Sequence, residues 1–307
     1  WAKGTELVTK CLESWQLYNL SWEVRPISRA ELPVLLGNFF PRYEQLRSAM
    51  NPLEKFGGFW VPPASESDLL RLLLLGLYGG VWVDATMLCR RPLDEWLPGV
   101  SSTGFFAFSP ESLEEKLPVM SSFLAATPGH PIVMAWLRAV LEHWSTPTSR
   151  RQDLGYYWLH RLFGDVVGAA ADVGGNPTGV AHVDEAAQAA WSSVPRRSGE
   201  YGVPGPHFYV PYEAKLLPDP TDEYRRLIES DRDTPMWKLT NHKMKLEQSS
   251  STSCFRVQVE ETLRQAREHA SGVSGAGIGP AFAILEVSSD EAVIQRLLLN
   301  RHETGCY

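Results

Sequence analysis

Cysteine is scarce in this 307-residue chain: Cys11, Cys89, Cys254 and Cys306 stand far apart, and no C-x-x-C pair occurs. That spacing speaks against a zinc site and against a disulfide scaffold, and free buried thiols are the expectation. Long apolar runs are also missing. The richest, Leu69 to Val83, is broken by Arg71 and by Gly79-Gly80, too short and too interrupted to span a bilayer. Positive charge is in deficit, with 29 Lys and Arg against 36 Asp and Glu and a net charge of −7. General nucleic-acid binding, which needs a basic face, is disfavoured, and an anionic ligand would have to be met by local positive charge. No internal repeat is found. The chain opens on Trp1 rather than Met, so an upstream segment is expected to have been removed, and the compartment stays open.

What is present is an ordinary globular composition, 44% hydrophobic and 21% charged, enough for a substantial core. Residues 5–20 carry Leu7, Val8, Cys11, Leu12 and Trp15 at helical spacing. Trp22 to Ile27 alternates as a short strand would. Ser65 or Ser67 is placed to cap a Leu-rich helix ending at Tyr78, with Asp68 in its first turn, and Val81-Trp82-Val83 reads as a buried strand. Further helices are expected over Ile132–Trp144, Asp153–Val167 and Phe255–His269, and strands over Gly104–Phe108 and within His207–Leu217. This alternation favours an α/β sheet with crossover helices over residues 1–247. The Ser-rich run Gln248–Ser253 reads as a linker, making 248–307 a helical C-terminal extension not needed for ligand binding.

The informative segment runs from Ser67 through Asp68 and Arg71 to Gly79-Gly80, Trp82, Asp84 and Thr86. Asp68 and Arg71, three apart, share one helix face. From Asp68 to Tyr78 a helix climbs roughly 15 Å. After a Gly-Gly reversal, residues 80–84 return roughly 13 Å as a strand. Asp84 therefore comes back to the level of Asp68 and Arg71, at the carboxyl end of a strand, where open α/β sheets place their ligands. The bland alternative is a solvated helix ion pair and an Asp84 that caps a turn. The all-leucine surroundings of the pair argue against it.

The pattern S-D-L-L-R…Y-G-G-V-W-V-D-A-T resembles the donor-site signature of capsular-polysaccharide-synthesis-type glycosyltransferases. Their relatives are Golgi mannosyltransferases and the glucosyltransferase domains of clostridial toxins. The resemblance extends to Trp1 and Gly4, to Cys11–Trp15 with Trp22–Val24, to Phe123–Ala126 with Gly129-His130-Pro131, to Asp153 with Tyr156-Tyr157-Trp158, and to Pro235–Thr240. It implies a GT-A-like mixed sheet with flanking helices, and a nucleotide-diphosphate sugar as donor to a glycan or other hydroxyl acceptor, with retention. Carried over, Trp1 lies on the base, Ser67 and Asp68 meet ribose or sugar hydroxyls, and Arg71 reaches the donor sugar. Trp82, Asp84 and Thr86 complete the donor site, while Asp84 is also expected to hold a divalent cation, Mn²⁺ or Mg²⁺, with His242. Lys238, His242 and Lys243 are the candidates for the diphosphate, and Asp153 for the acceptor side. Catalysis would rest on Asp84, Arg71 and Asp153.

One departure matters: the second acid of D-x-D is Thr86 here, and a hydroxyl is a much weaker ligand for a hard cation than a carboxylate. It leaves a non-catalytic nucleotide-sugar or glycan-binding domain as the alternative, with a phosphosugar transferase as a third reading. His130, ahead of Pro131, is expected to be structural, and the aromatics of 156–158 to serve either sugar stacking or the core.

Overall fold

The structure, a computed structural model, describes residues 6–50, 64–108, 118–151, 154–155, 157–168, 183–194, 196–197, 200–201, 208–209, 234–239 and 254–273. Its helices are α1 (Glu6–Tyr18), α2 (Leu32–Leu36), α3 (Phe40–Ala49), α4 (Ala64–Tyr78), α5 (Leu93–Trp96), α6 (Pro131–Ser145), α7 (Trp158–Val167), α8 (Glu185–Ser193) and α9 (Cys254–Val273). Its strands are β1 (Gly80–Val83), β2 (Met87–Cys89), β3 (Phe105–Ala107), β4 (Phe123–Ala126), β5 (Arg196–Arg197), β6 (Glu200–Tyr201), β7 (Phe208–Tyr209) and β8 (Met236–Lys238). The result is a mixed helix-and-sheet protein, in keeping with the α/β expectation. None of the described helices is long and apolar enough to cross a membrane. The chain divides into two compact units: 1–28, 83–100 and 202–284 in the first, 29–82, 101–201 and 285–307 in the second.

In the first unit, α1 turns one stripe inward, Leu7, Cys11, Trp15 and Tyr18, each buried. The helix is tied to β2 by side chains that satisfy backbone groups: Trp15 Nε1 donates to Met87 O at 2.8 Å, and Cys89 N donates to Ser14 Oγ at 2.9 Å. Asn19 Oδ1 accepts from Leu93 N at 2.7 Å, holding the chain as it leaves β2. Strand β8 pairs antiparallel with β2 and parallel with β7, in the order β2-β8-β7. Helix α9 lies along α1 through buried Val259, Leu263 and Ala266. Charge pairs line that seam: Arg256 to Glu6 at 2.7 and 3.0 Å, Lys10 to Glu260 at 2.7 Å and Arg267 to Glu13 at 2.6 Å. Cys11 and Cys89 are free and buried, as expected. Residues 22–28 form no strand: Ser21 and Trp22 donate instead to the Asp94 carboxylate, at 2.5 and 2.8 Å, and no strand among the described residues pairs with them.

In the second unit, α4 buries Leu69, Leu72, Leu73 and Leu75 and packs on α6. Each such leucine contributes roughly 1.5–3 kcal/mol through burial. Helix α6 starts where Pro131 suits the first helical position and His130 Nδ1 accepts from Ile132 N, so the structural role expected of His130 is that of a helix cap. Trp136 Nε1 donates to Leu159 O at 2.8 Å and joins α6 to α7, where Phe163 stacks on Phe105 and meets Trp136 and Trp191 edge-on. The sheet here runs β1-β4-β3, with Phe105 opposite Ala126. Helix α4 begins at Ala64, a turn earlier than expected, so Ser65 and Ser67 lie within it and Asp68 in its second turn. It ends at Tyr78 as expected, because Gly79 takes φ 65°. A side chain there would strike Pro128 Cδ at 2.6 Å. Strand β1 is half-buried along its length rather than buried. Helix α7 begins at Trp158, later than expected, since Gly155 at φ 65° breaks the helical path before it.

Candidate functional site

The second unit holds the Asp68–Arg71 pair. Arg71 Nη2 lies 2.9 Å from Asp68 Oδ1, and the pair is not solvated decoration: the side chains are only 5% and 16% exposed. The helix spacing brings them together, and the rest of the guanidinium is satisfied locally. Nη1 donates to Ser121 O, Nε to Ser67 O at 3.4 Å and Nη2 to Ser67 Oγ at 3.5 Å. Its carbon sits 5.4 Å from the centre of the Trp82 ring, a cation–π approach from β1. Four of the expected donor-site residues, Ser67, Asp68, Arg71 and Trp82, thus form one cluster.

Two members of this neighbourhood were not anticipated. Ser121 lies fifty residues from Arg71, a distance that no spacing rule bridges. His160, on α7, has its pKa pushed down to about 4, first by burial and then by the charge of Arg71. Its Nδ1 is buried without a hydrogen-bond partner, as is the Ser122 hydroxyl. A neutral imidazole beside a guanidinium keeps the local charge at that of Asp68 and Arg71. Only the tertiary fold, which brings His160 into the field of Arg71, could have revealed it. Trp158 packs in the core against His143 and Trp144, and Tyr157 meets His160 edge-on at 5.9 Å.

The first unit holds the other cluster. Asp84 O accepts from Met87 N at 2.9 Å, closing a turn between β1 and β2. Thr86 O accepts from Leu239 N at 2.9 Å, and Met87 stands opposite Lys238 in the β2–β8 ladder. That register carries Lys238 Nζ to 2.5 Å from Asp84 Oδ2. The segment Pro235–Leu239 is therefore zipped against the chain just after Asp84, across 154 residues of sequence. Arg90 fixes the strand further: its backbone N donates to Pro235 O at 2.9 Å and its guanidinium lies 4.0 Å over Trp237. Trp1, Asp153, Tyr156, His242 and Lys243 lie outside the described residues.

The capsular polysaccharide synthesis protein family matches residues 2–170, more than half of the chain. The chain belongs to this family. Membership in the capsular polysaccharide synthesis family places it in polysaccharide biosynthesis. The matched span contains the whole Asp68–Arg71 cluster, β1, Asp84 and Thr86, whereas Lys238 and α9 fall beyond it. No curated protein and no solved structure matches.

The described part of the donor set at Asp84 is a poor one for a resident divalent cation. One carboxylate oxygen is already paired with an ammonium, the second acid is a threonine, and among the described residues no group of three or more His, Cys, Asp or Glu gathers to hold a metal.

Proposed function

We propose that this member of the capsular polysaccharide synthesis family is a glycosyltransferase of GT-A-like fold. It moves a hexose from a nucleotide-diphosphate sugar to a hydroxyl of a glycan or similar acceptor, with retention. The observation that carries this reading is the desolvated Asp68–Arg71 pair, placed on the helix that turns through Gly79 into β1 and Asp84. A buried ion pair is weak evidence for stability, because desolvation cancels much of its Coulomb energy. A carboxylate and a guanidinium held rigid, with carbonyl and indole support, suit the recognition of vicinal sugar hydroxyls.

In this reading Ser67, Asp68 and Arg71 meet the sugar and ribose, Trp1 the base, and Asp84 a donor hydroxyl. Lys238, His242 and Lys243 attend the diphosphate, and Asp153 the acceptor. In the transfer, the bond from the anomeric carbon to the β-phosphate oxygen breaks and its electron pair leaves on the nucleoside diphosphate. The acceptor oxygen bonds to the anomeric carbon and gives its proton to water. Fixed positive charge at the leaving oxygens lowers the barrier by stabilising the charge that develops there.

The test is a panel of nucleotide sugars, screened first for thermal stabilisation and then for product. Release of a nucleoside diphosphate with free or transferred sugar, abolished in Asp84→Asn, is the expected result. Release of a nucleoside monophosphate would make the chain a phosphosugar transferase. Stabilisation without any turnover would make it a binding module.

A further inference from the structure

The D-x-D pattern that this segment resembles would offer a divalent cation two carboxylates, but this chain presents Asp84 followed by Thr86. The remaining carboxylate is engaged as well, by Lys238 at 2.5 Å. The pairing is a consequence of backbone register. The Asp84–Met87 turn, the Leu239-to-Thr86 bond and the Met87–Lys238 ladder position set the two side chains at one end of the β2–β8 pair. Strand β8 is itself held by buried Met236 and Trp237. Both charged side chains are sheltered but reachable from solvent, 24% exposed for Asp84 and 19% for Lys238. A charge-assisted hydrogen bond at that distance between half-buried groups is among the stronger polar contacts in proteins. A hard divalent cation asks for about six oxygen ligands, and among the described residues it would have to displace the ammonium to gain one carboxylate and one hydroxyl.

We propose that Lys238 is the resident cation of the donor site. It holds Asp84 in the empty protein and faces the leaving diphosphate during transfer, so that donor binding and transfer proceed without a divalent metal. The proposal rests on the glycosyltransferase reading and deepens it. The ammonium keeps its proton throughout: it offsets charge on the diphosphate oxygens as the anomeric bond breaks, and acts as neither acid nor base. Lysine suits this role, being a compact point charge on a flexible stem that can move from a carboxylate to a phosphate without strand movement. Thr86 then ceases to be a defect. A second carboxylate there would add negative charge next to the departing diphosphate with no metal to neutralise it.

The test uses the full chain with UDP, GDP, ADP, UDP-glucose and GDP-mannose as probes, titrated calorimetrically in EDTA and again in MnCl₂. The expected result is that whichever diphosphate binds does so with unchanged affinity in EDTA. Lys238→Met should then weaken it by about tenfold or more, the loss of one charge-assisted contact, while Lys238→Arg retains most of the affinity. Lys238→Met combined with Thr86→Asp should regain affinity in MnCl₂ only. Wild-type binding that appears only with Mn²⁺ overturns the inference and leaves the donor reading standing, and that measurement depends on no variant. Binding undiminished in a folded Lys238→Met protein overturns it too. If no probe binds with or without Mn²⁺, the glycosyltransferase reading fails, and this inference with it.

Discussion

Arg71 is held by a carboxylate, two carbonyls, a hydroxyl and the Trp82 ring, so its removal has two separable effects. Arg71→Ala deprives the sheltered Asp68 carboxylate of an ion-pair partner at 2.9 Å, at a cost of roughly 3–5 kcal/mol of stability. At a temperature where the variant stays folded, it should bind a nucleoside diphosphate nearly as well as wild type and the nucleotide sugar much more weakly. Calorimetry with both ligands checks this, and equal weakening would move Arg71 to the phosphates. His160 makes a pH prediction with a definite sign. Its folded pKa, about 4, lies below the ordinary histidine value of 6.5, so the unfolded chain binds the proton more readily between those values. Stability from this group is present above pH 6.5 and is lost as pH falls towards 4, by about 3 kcal/mol at most. His160→Gln should therefore show a shallower fall in melting temperature than wild type between pH 6.5 and 4, and parallel curves would refute the assignment.

At the scale of elements, α9 decides what the C-terminal stretch does for the fold. The linker-like composition of 248–253 marks 248–307 as an extension, yet α9 buries Val259, Leu263 and Ala266 along α1 and sets Arg256 in a two-bond contact with Glu6. Cutting the chain at Gln248 should lower the melting temperature, since the burial of Val259 and Leu263 alone contributes roughly 3–6 kcal/mol before the entropy of ordering the helix. Asp68, Arg71, Asp84 and Lys238 all remain, so nucleotide binding should survive at low temperature. An unchanged melting temperature would mean that α9 does not hold α1 in solution. The strand expected at Trp22–Ile27 teaches the complementary lesson: alternation shows that a segment can pair, and Ser21 and Trp22 bond to Asp94 instead.

For the whole molecule, a net charge of −7 makes positive charge a local resource, and the Asp84 site draws on Lys238. A matching nucleoside diphosphate at a hundred times its Kd should stabilise the protein by about 2.7 kcal/mol, read as a rise in melting temperature. A panel with no such shift would remove the donor-site reading altogether. Much of this site was legible from local rules. Asp68 and Arg71 meet because three residues make most of a helical turn. Gly79 ends α4 because a side chain there would collide with Pro128. The S-D-L-L-R…Y-G-G-V-W-V-D-A-T pattern rests on the same short spacings. What local rules could not supply was any partner distant in the chain. Ser121 beneath Arg71, His160 in its field, Trp15 on Met87 O and, above all, Lys238 on Asp84 are joined by burial and by strand register. Residue types and their spacing determined which groups could do the chemistry. Tertiary structure decided which of them neutralise one another, because Coulomb and hydrogen-bond energies depend on distance in space rather than on separation along the chain.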